Sequence, residues 1–128
     1  MYCWNNAKNS SIYVNAIQFL QQKNVWAKAL EISQKALQPF PNNFNIQLLK
    51  AKSLLSTDGI IYIELPDGKN ASENGGFIDR EEFYLEHYTI FSKDSLDYLV
   101  RKIGFGLDEF SSIHEPSDKY TLFAFLKI

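Results

Sequence analysis

Thr57-Asp58-Gly59-Ile60-Ile61-Tyr62-Ile63-Glu64-Leu65-Pro66 is the stretch on which the architecture turns. Thr57-Asp58-Gly59 is a turn signal, and the run from Ile60 to Leu65 is nearly continuous, apolar and rich in β-branched residues. A short run of that kind between turn residues predicts a strand covered on both faces. Pro66-Asp67-Gly68 stops it, because proline carries no amide donor for the ladder. The polar, glycine-bearing segment from Lys69 to Gly76 then predicts a surface loop.

Toward the C-terminus, Phe91-Ser92 opens a well-marked helix. Ser92 is a good N-cap, and Asp94 suits the positive end of the helix dipole. Leu96, Leu99, Val100 and Ile103 form the i, i+3, i+4, i+7 stripe of a helix with one buried face. Arg101 and Lys102 suit the last turn, and Gly104 can close it in a left-handed conformation. A strand is predicted from Gly106 to His114, a turn at Glu115–Lys119, and a final buried-type strand from Tyr120 to Leu126. So short a link makes the last two strands antiparallel.

Toward the N-terminus the periodicity changes to helical. Tyr13, Ala16, Ile17 and Leu20 share one face of a first helix, and Lys23-Asn24 breaks it. Val25, Trp26, Ala29, Leu30, Ala36 and Leu37 mark a second helix, ended by Pro39 and Pro41. A third spans about Ile46 to Leu55, after the Asn42-Asn43 turn. The expected organisation is a helical segment, residues 1–56, followed by strands around a helix, residues 57–128.

Bulk properties limit the partners. The chain has 128 residues, 45% hydrophobic and 22% charged, which is a globular composition rather than a disordered one. A net charge of −2 points away from nucleic acid and from anionic membrane surfaces, both of which favour basic patches. No apolar run approaches the roughly 20 residues of a membrane helix, and Met1–Ser11 does not resemble a secretory signal. The lone Cys3 allows no internal disulfide, so a reducing, cytoplasmic setting is expected. His114 lacks a cysteine or second histidine at ligand spacing and reads as a solvated loop residue near the turn, so no metal site is expected.

Two resemblances follow from these residues. Trp26-x-x-Ala29-Leu30-Glu31, Gln34-Lys35-Ala36-Leu37 and Pro41-Asn42-Asn43 resemble the second helix of a tetratricopeptide repeat, over one repeat from about Ser10 to Asn43. Arrays of such repeats normally need about three units to bury their faces. The resemblance implies packing or a protein partner, with no chemistry.

The order helix, strand, loop, helix, strand, strand resembles the closing part of a class I methyltransferase domain, in which an antiparallel strand runs inside an otherwise parallel sheet. Leu54–Pro66 is similar to the fifth strand and its approach, and Glu86-His87, Phe91-Ser92, Ser95-Leu96 and Gly104-Phe105 fall at the family's spacing. The resemblance implies a partial Rossmann-like α/β sheet, α+β within this chain, and S-adenosylmethionine as the family's cofactor. Tyr84-x-Glu86-His87 resembles a motif of sugar C-methyltransferases. That likeness implies His87 as the base that deprotonates a keto-sugar acceptor, with Tyr84 and Glu86 orienting it or assisting proton transfer. The bland alternative is that these residues shape a site floor or a surface without chemistry.

The family's donor site is a glycine-rich turn after the first strand together with an acid ending the second. Residues 1–58 contain no glycine, and Gly75-Gly76 comes after the fifth-strand candidate. The expected function is therefore a truncated or rearranged methyltransferase relative that lacks its own donor site. A small helical interaction module is the alternative, and an unrelated enzyme using Glu86 and His87 a third.

Overall fold

A computed structural model describes residues 2–75, 80–84 and 89–128. The chain divides into two compact units, Met1–Thr57 and Asp58–Ile128.

The first unit is three helices, α1 (Tyr2–Gln22), α2 (Trp26–Ala36) and α3 (Phe44–Leu54), each packed on the other two. α1 begins well before Tyr13, where the apolar periodicity starts. It ends where the sequence breaks. Asn24 adopts the left-handed conformation at φ 59°, while its amide bonds the Gln21 carbonyl at 3.0 Å and the Val25 amide bonds Leu20 at 2.9 Å. That pattern satisfies carbonyls the helix would otherwise leave open. Asn43 caps α3 by accepting from the Ile46 amide at 3.1 Å.

Small residues line the buried side of α2: Ala29, Ser33 and Ala36. They let the backbones of neighbouring helices come close, and the Ser33 hydroxyl is neutralised by donating to the Ala29 carbonyl at 2.6 Å. Ile17, Ile46 and Leu49 complete the core. Gln21 is also buried there, donating from Nε2 to the Leu49 carbonyl at 2.8 Å and to Ser53 Oγ at 2.9 Å.

The second unit is α+β. It contains β1 (Ile61–Pro66), α4 (Gly68–Gly75), a 3₁₀ turn (Glu81–Phe83), α5 (Lys93–Ile103), β2 (Gly106–His114) and β3 (Tyr120–Lys127). The strands form one sheet in the order β1-β3-β2, with β3 antiparallel to both neighbours. Ile63 pairs with Ala124 and Phe110 pairs with Ala124 from the other side. A bulge at Asp108 shifts the register between Leu107 and Glu109, so Leu107 and Phe110 point to the same face. Pro66 is tolerated because β1 is an edge strand in this sheet.

α5 holds the covered face. Its N-terminus is a reciprocal cap: the Ser95 amide bonds Ser92 Oγ at 3.2 Å and the Ser92 amide bonds Ser95 Oγ at 3.0 Å. Gly104 closes it at φ 98°. Leu96, Val100 and Ile103 are buried on α5, and Leu122, Ala124 and Leu126 on the covered face of β3. An isolated helix of this length is marginal in water. Each fully buried Leu, Val or Ile contributes roughly 1.5–3 kcal/mol, so packing of the apolar stripe rather than propensity holds α5.

Two expectations are corrected. Lys69 to Gly76, expected as a loop, is largely α4. Asp67 is the reason: its Oδ1 accepts from the Asn70 amide at 3.2 Å and its carbonyl from the Ala71 amide at 3.1 Å, starting a helical turn that polar composition conceals. β1, expected to be covered on both faces, alternates. Tyr62 and Glu64 are exposed, while Ile61, Ile63 and Leu65 are half-buried. Among the described residues, no helix is long and apolar enough to cross a membrane.

Candidate functional site

The carboxyl end of β1, the 3₁₀ turn and the β2–β3 hairpin converge around a cleft of about 200 Å³. Leu65 and Pro66 form its apolar wall, Glu82 and Tyr120 its floor, and Glu115 and Lys119 its polar rim.

Glu82 is the organising group. It is buried at 3% exposure, on a segment where a carboxylate must be bonded to be tolerated. Oε1 accepts from the Tyr120 amide at 2.7 Å and from Arg80 Nη2 at 3.0 Å, and Oε2 accepts from Arg80 Nε at 3.2 Å. Burial alone would raise the Glu82 carboxyl. The Arg80 hydrogen bond, the backbone amides and the guanidinium charge outweigh it and hold the carboxyl below its usual range.

Arg80 also donates to the Asp118 carbonyl and lies over the Tyr120 ring at 5.1 Å. One side chain thereby ties the 3₁₀ turn to the hairpin. On the rim, Lys119 pairs with Glu81 at 2.6 Å, which raises the lysine further above neutrality. The Thr121 hydroxyl donates to Glu115.

Tyr84 is placed in an adjoining cleft of about 180 Å³ with Arg80, Glu81, Ser117 and Lys119, and its side chain is 44% exposed. Glu86 and His87, its expected partners, lie outside the described residues. His114 ends β2, stacks on Tyr120 with centroids 4.5 Å apart, and approaches Asp118 Oδ1 at 2.7 Å from Nε2. It is exposed, as expected, at the end of its strand. Among the described residues no group of three histidine, cysteine or acidic side chains is arranged to hold a metal.

Chemically, the described part of the site is equipped to hold and orient a ligand rather than to move a proton. Glu82 is ionised with its oxygens engaged, so it fixes geometry and is a poor proton acceptor. The exposed rim offers an ammonium, carboxylates and the Tyr84 phenol to a small polar molecule. Glu82 stands at the head of the acid–base run Glu82–Tyr88, but Arg80 and the burial of the pair cannot be read from the sequence, because an Arg-x-Glu pair is common on surfaces. Its burial depends on Tyr120, a residue 38 positions away from Glu82.

No protein-family model, curated protein or solved structure matches the chain.

Proposed function

We propose that Asp58–Ile128 is the closing, acceptor-side part of a class I methyltransferase-like domain and that the chain lacks a methyl-donor site of its own. The supporting observation is the strand order β1-β3-β2, with β3 antiparallel to both neighbours. β1 and β2 therefore run parallel with a reversed strand between them. That is the arrangement expected of a fifth and sixth strand flanking a seventh. The amphipathic helix α5 leads into β2, as the same reading requires.

Residues 2–54 are α1, α2 and α3, where such a domain would have strand–helix repeats and their glycine-rich turn. The clefts at the carboxyl end of β1 lie where open α/β sheets bind ligands. In this reading Tyr84, Glu81 and Lys119 meet a small hydroxylated acceptor, with His87 as its base and Glu86 assisting.

A chimera tests the kinship. Asp58–Ile128 replaces the corresponding last part of an intact sugar C-methyltransferase, from its fifth strand onward. A soluble product that still binds S-adenosylmethionine is the expected outcome. An insoluble or non-binding chimera beside a well-behaved parent removes the reading.

A second reading has its own observation. Ile12 and Phe19 stand two turns apart on α1 at 65% and 59% exposure. An apolar stripe open to water favours a protein-contact role for the helical unit. A Phe19→Ser change is then expected to abolish capture of any partner held through this unit, and unchanged capture counts against it.

A further inference from the structure

We infer that the open face of the sheet is a docking surface for a lysine-bearing amphipathic helix of a partner protein. This inference does not depend on the methyltransferase reading.

The strand registers determine what this face carries. Opposite the covered side of β3, Phe125 pairs with Tyr62 and Glu109, Phe123 with Glu64 and Ser111, and Thr121 with Ile113. The Tyr62 and Phe125 rings lie 4.9 Å apart and Phe123 meets Phe125 edge-on at 6.5 Å, so the aromatics make one continuous platform. Tyr62 is 51% exposed and Ile113 41%. The Tyr62, Phe123 and Phe125 rings thus leave an apolar patch on this mixed face, and α5 lies against the opposite side of the sheet.

Shape and charge choose the occupant. Three strands at roughly 4.8 Å spacing span about 10 Å between outer strand axes. That is close to the diameter of one helix with its side chains, roughly 10–12 Å. On the covered face, α5 presents Leu96, Val100 and Ile103 at helical spacing, which shows the pattern that such a face accepts.

The platform is framed by carboxylates on different strands, exposed Glu64 on β1 and exposed Glu109 on β2. Two copies placed face to face would bring these acids together, and an anionic bilayer would be repelled. A helix with leucines on one side and lysines at its margins buries the aromatics and meets both acids.

The test titrates the intact chain into a fluorescein-labelled amphipathic peptide of about 15 residues, long enough at 1.5 Å per residue to cross the sheet. Its apolar face is leucine and its margins lysine, and a second peptide carries glutamate in place of lysine. The lysine peptide is expected to bind, and the glutamate peptide is not. Tyr62→Ser should weaken binding about tenfold, the loss typical of a central aromatic contact. Tyr98→Ser, at an exposed tyrosine on α5, should leave it unchanged.

Glu109→Lys, at a solvated position, should also weaken the lysine peptide, and it serves should Tyr62→Ser fail to fold. The inference is overturned by binding that neither variant affects, by preference for the glutamate peptide, or by no binding of either. Sedimentation as a dimer that Tyr62→Ser dissolves would make a second copy the occupant and overturn it equally.

Discussion

At the scale of single residues, the second unit is organised by two carboxylates, Asp67 and Glu82, whose burial nothing local in the sequence announces. Asp67 is 1% exposed and is bonded by the Asn70 amide, by Asn70 Nδ2 at 2.6 Å and by the Ser112 hydroxyl, joining the end of β1 to β2. Glu82 joins the 3₁₀ turn to β3. Glu82→Ala leaves Arg80 and the Tyr120 amide without their partner, so it should cost on the order of 3 kcal/mol, read by denaturant unfolding.

The sign of the pH effect follows. The folded carboxyl is held below its ordinary value of 4.5, so its contribution is present above that pH and disappears as pH falls below it. Glu82→Gln should therefore be less stable than the parent near neutrality and show a flatter stability curve below pH 4.5. Gly68 matters for a different reason, close packing. Its amide bonds the Phe91 carbonyl at 2.9 Å, and an added Cβ would collide with Ile90 Cγ2. Gly68→Ala is expected to lower stability by about 1–3 kcal/mol, the usual range for overpacking.

At the scale of elements, legibility tracked whether local chemistry or distant contacts decide the outcome. α5 was readable because its cap, apolar stripe and closing glycine all lie within its own residues. Ser92→Ala should cost about 1 kcal/mol. Gly104→Ala should cost about 1 kcal/mol or more, because its φ of 98° strains any residue with a Cβ. Thermal unfolding of the two variants measures both.

α4 was not readable. Gly68-Lys69-Asn70-Ala71-Ser72-Glu73-Asn74-Gly75 has poor helix formers and one buried apolar anchor, Ala71. What starts it is the Asp67 carboxylate, held at the end of β1 by a serine on β2. β1 was recognised as a strand but misjudged in its surroundings. A run of isoleucines with one tyrosine does not reveal which side a helix will cover.

At the scale of the whole molecule, the overall charge of −2 conceals a division between the units. Residues 1–57 carry six lysines and one glutamate, while residues 58–128 carry seven basic and fourteen acidic side chains. The balanced total argued against nucleic acid and anionic membranes as partners for the chain as one body, but each unit has its own field. The acidic character of the sheet unit makes a cationic partner helix the natural complement to its open face. The proposed absence of a donor site is also a whole-molecule property. Calorimetric titration of the intact chain with S-adenosylmethionine up to millimolar concentration should give no binding isotherm. Micromolar binding would show that the chain carries a donor site after all.

The sequence by itself determined the elements whose signals are local: three N-terminal helices, the strand after Gly59, the α5 cap and stripe, and the closing hairpin. It also presented Tyr84, Glu86 and His87 as the acid–base group. Tertiary structure decided that β3 pairs with both β1 and β2, that Glu82 and Asp67 are buried, and that, among the described residues, Tyr62, Glu64 and Ile113 stay exposed on one face of the sheet. The physical reason is that strand order, burial of charge and coverage of a face are pairings between residues tens of positions apart, whereas periodicity and capping act within a few turns of chain.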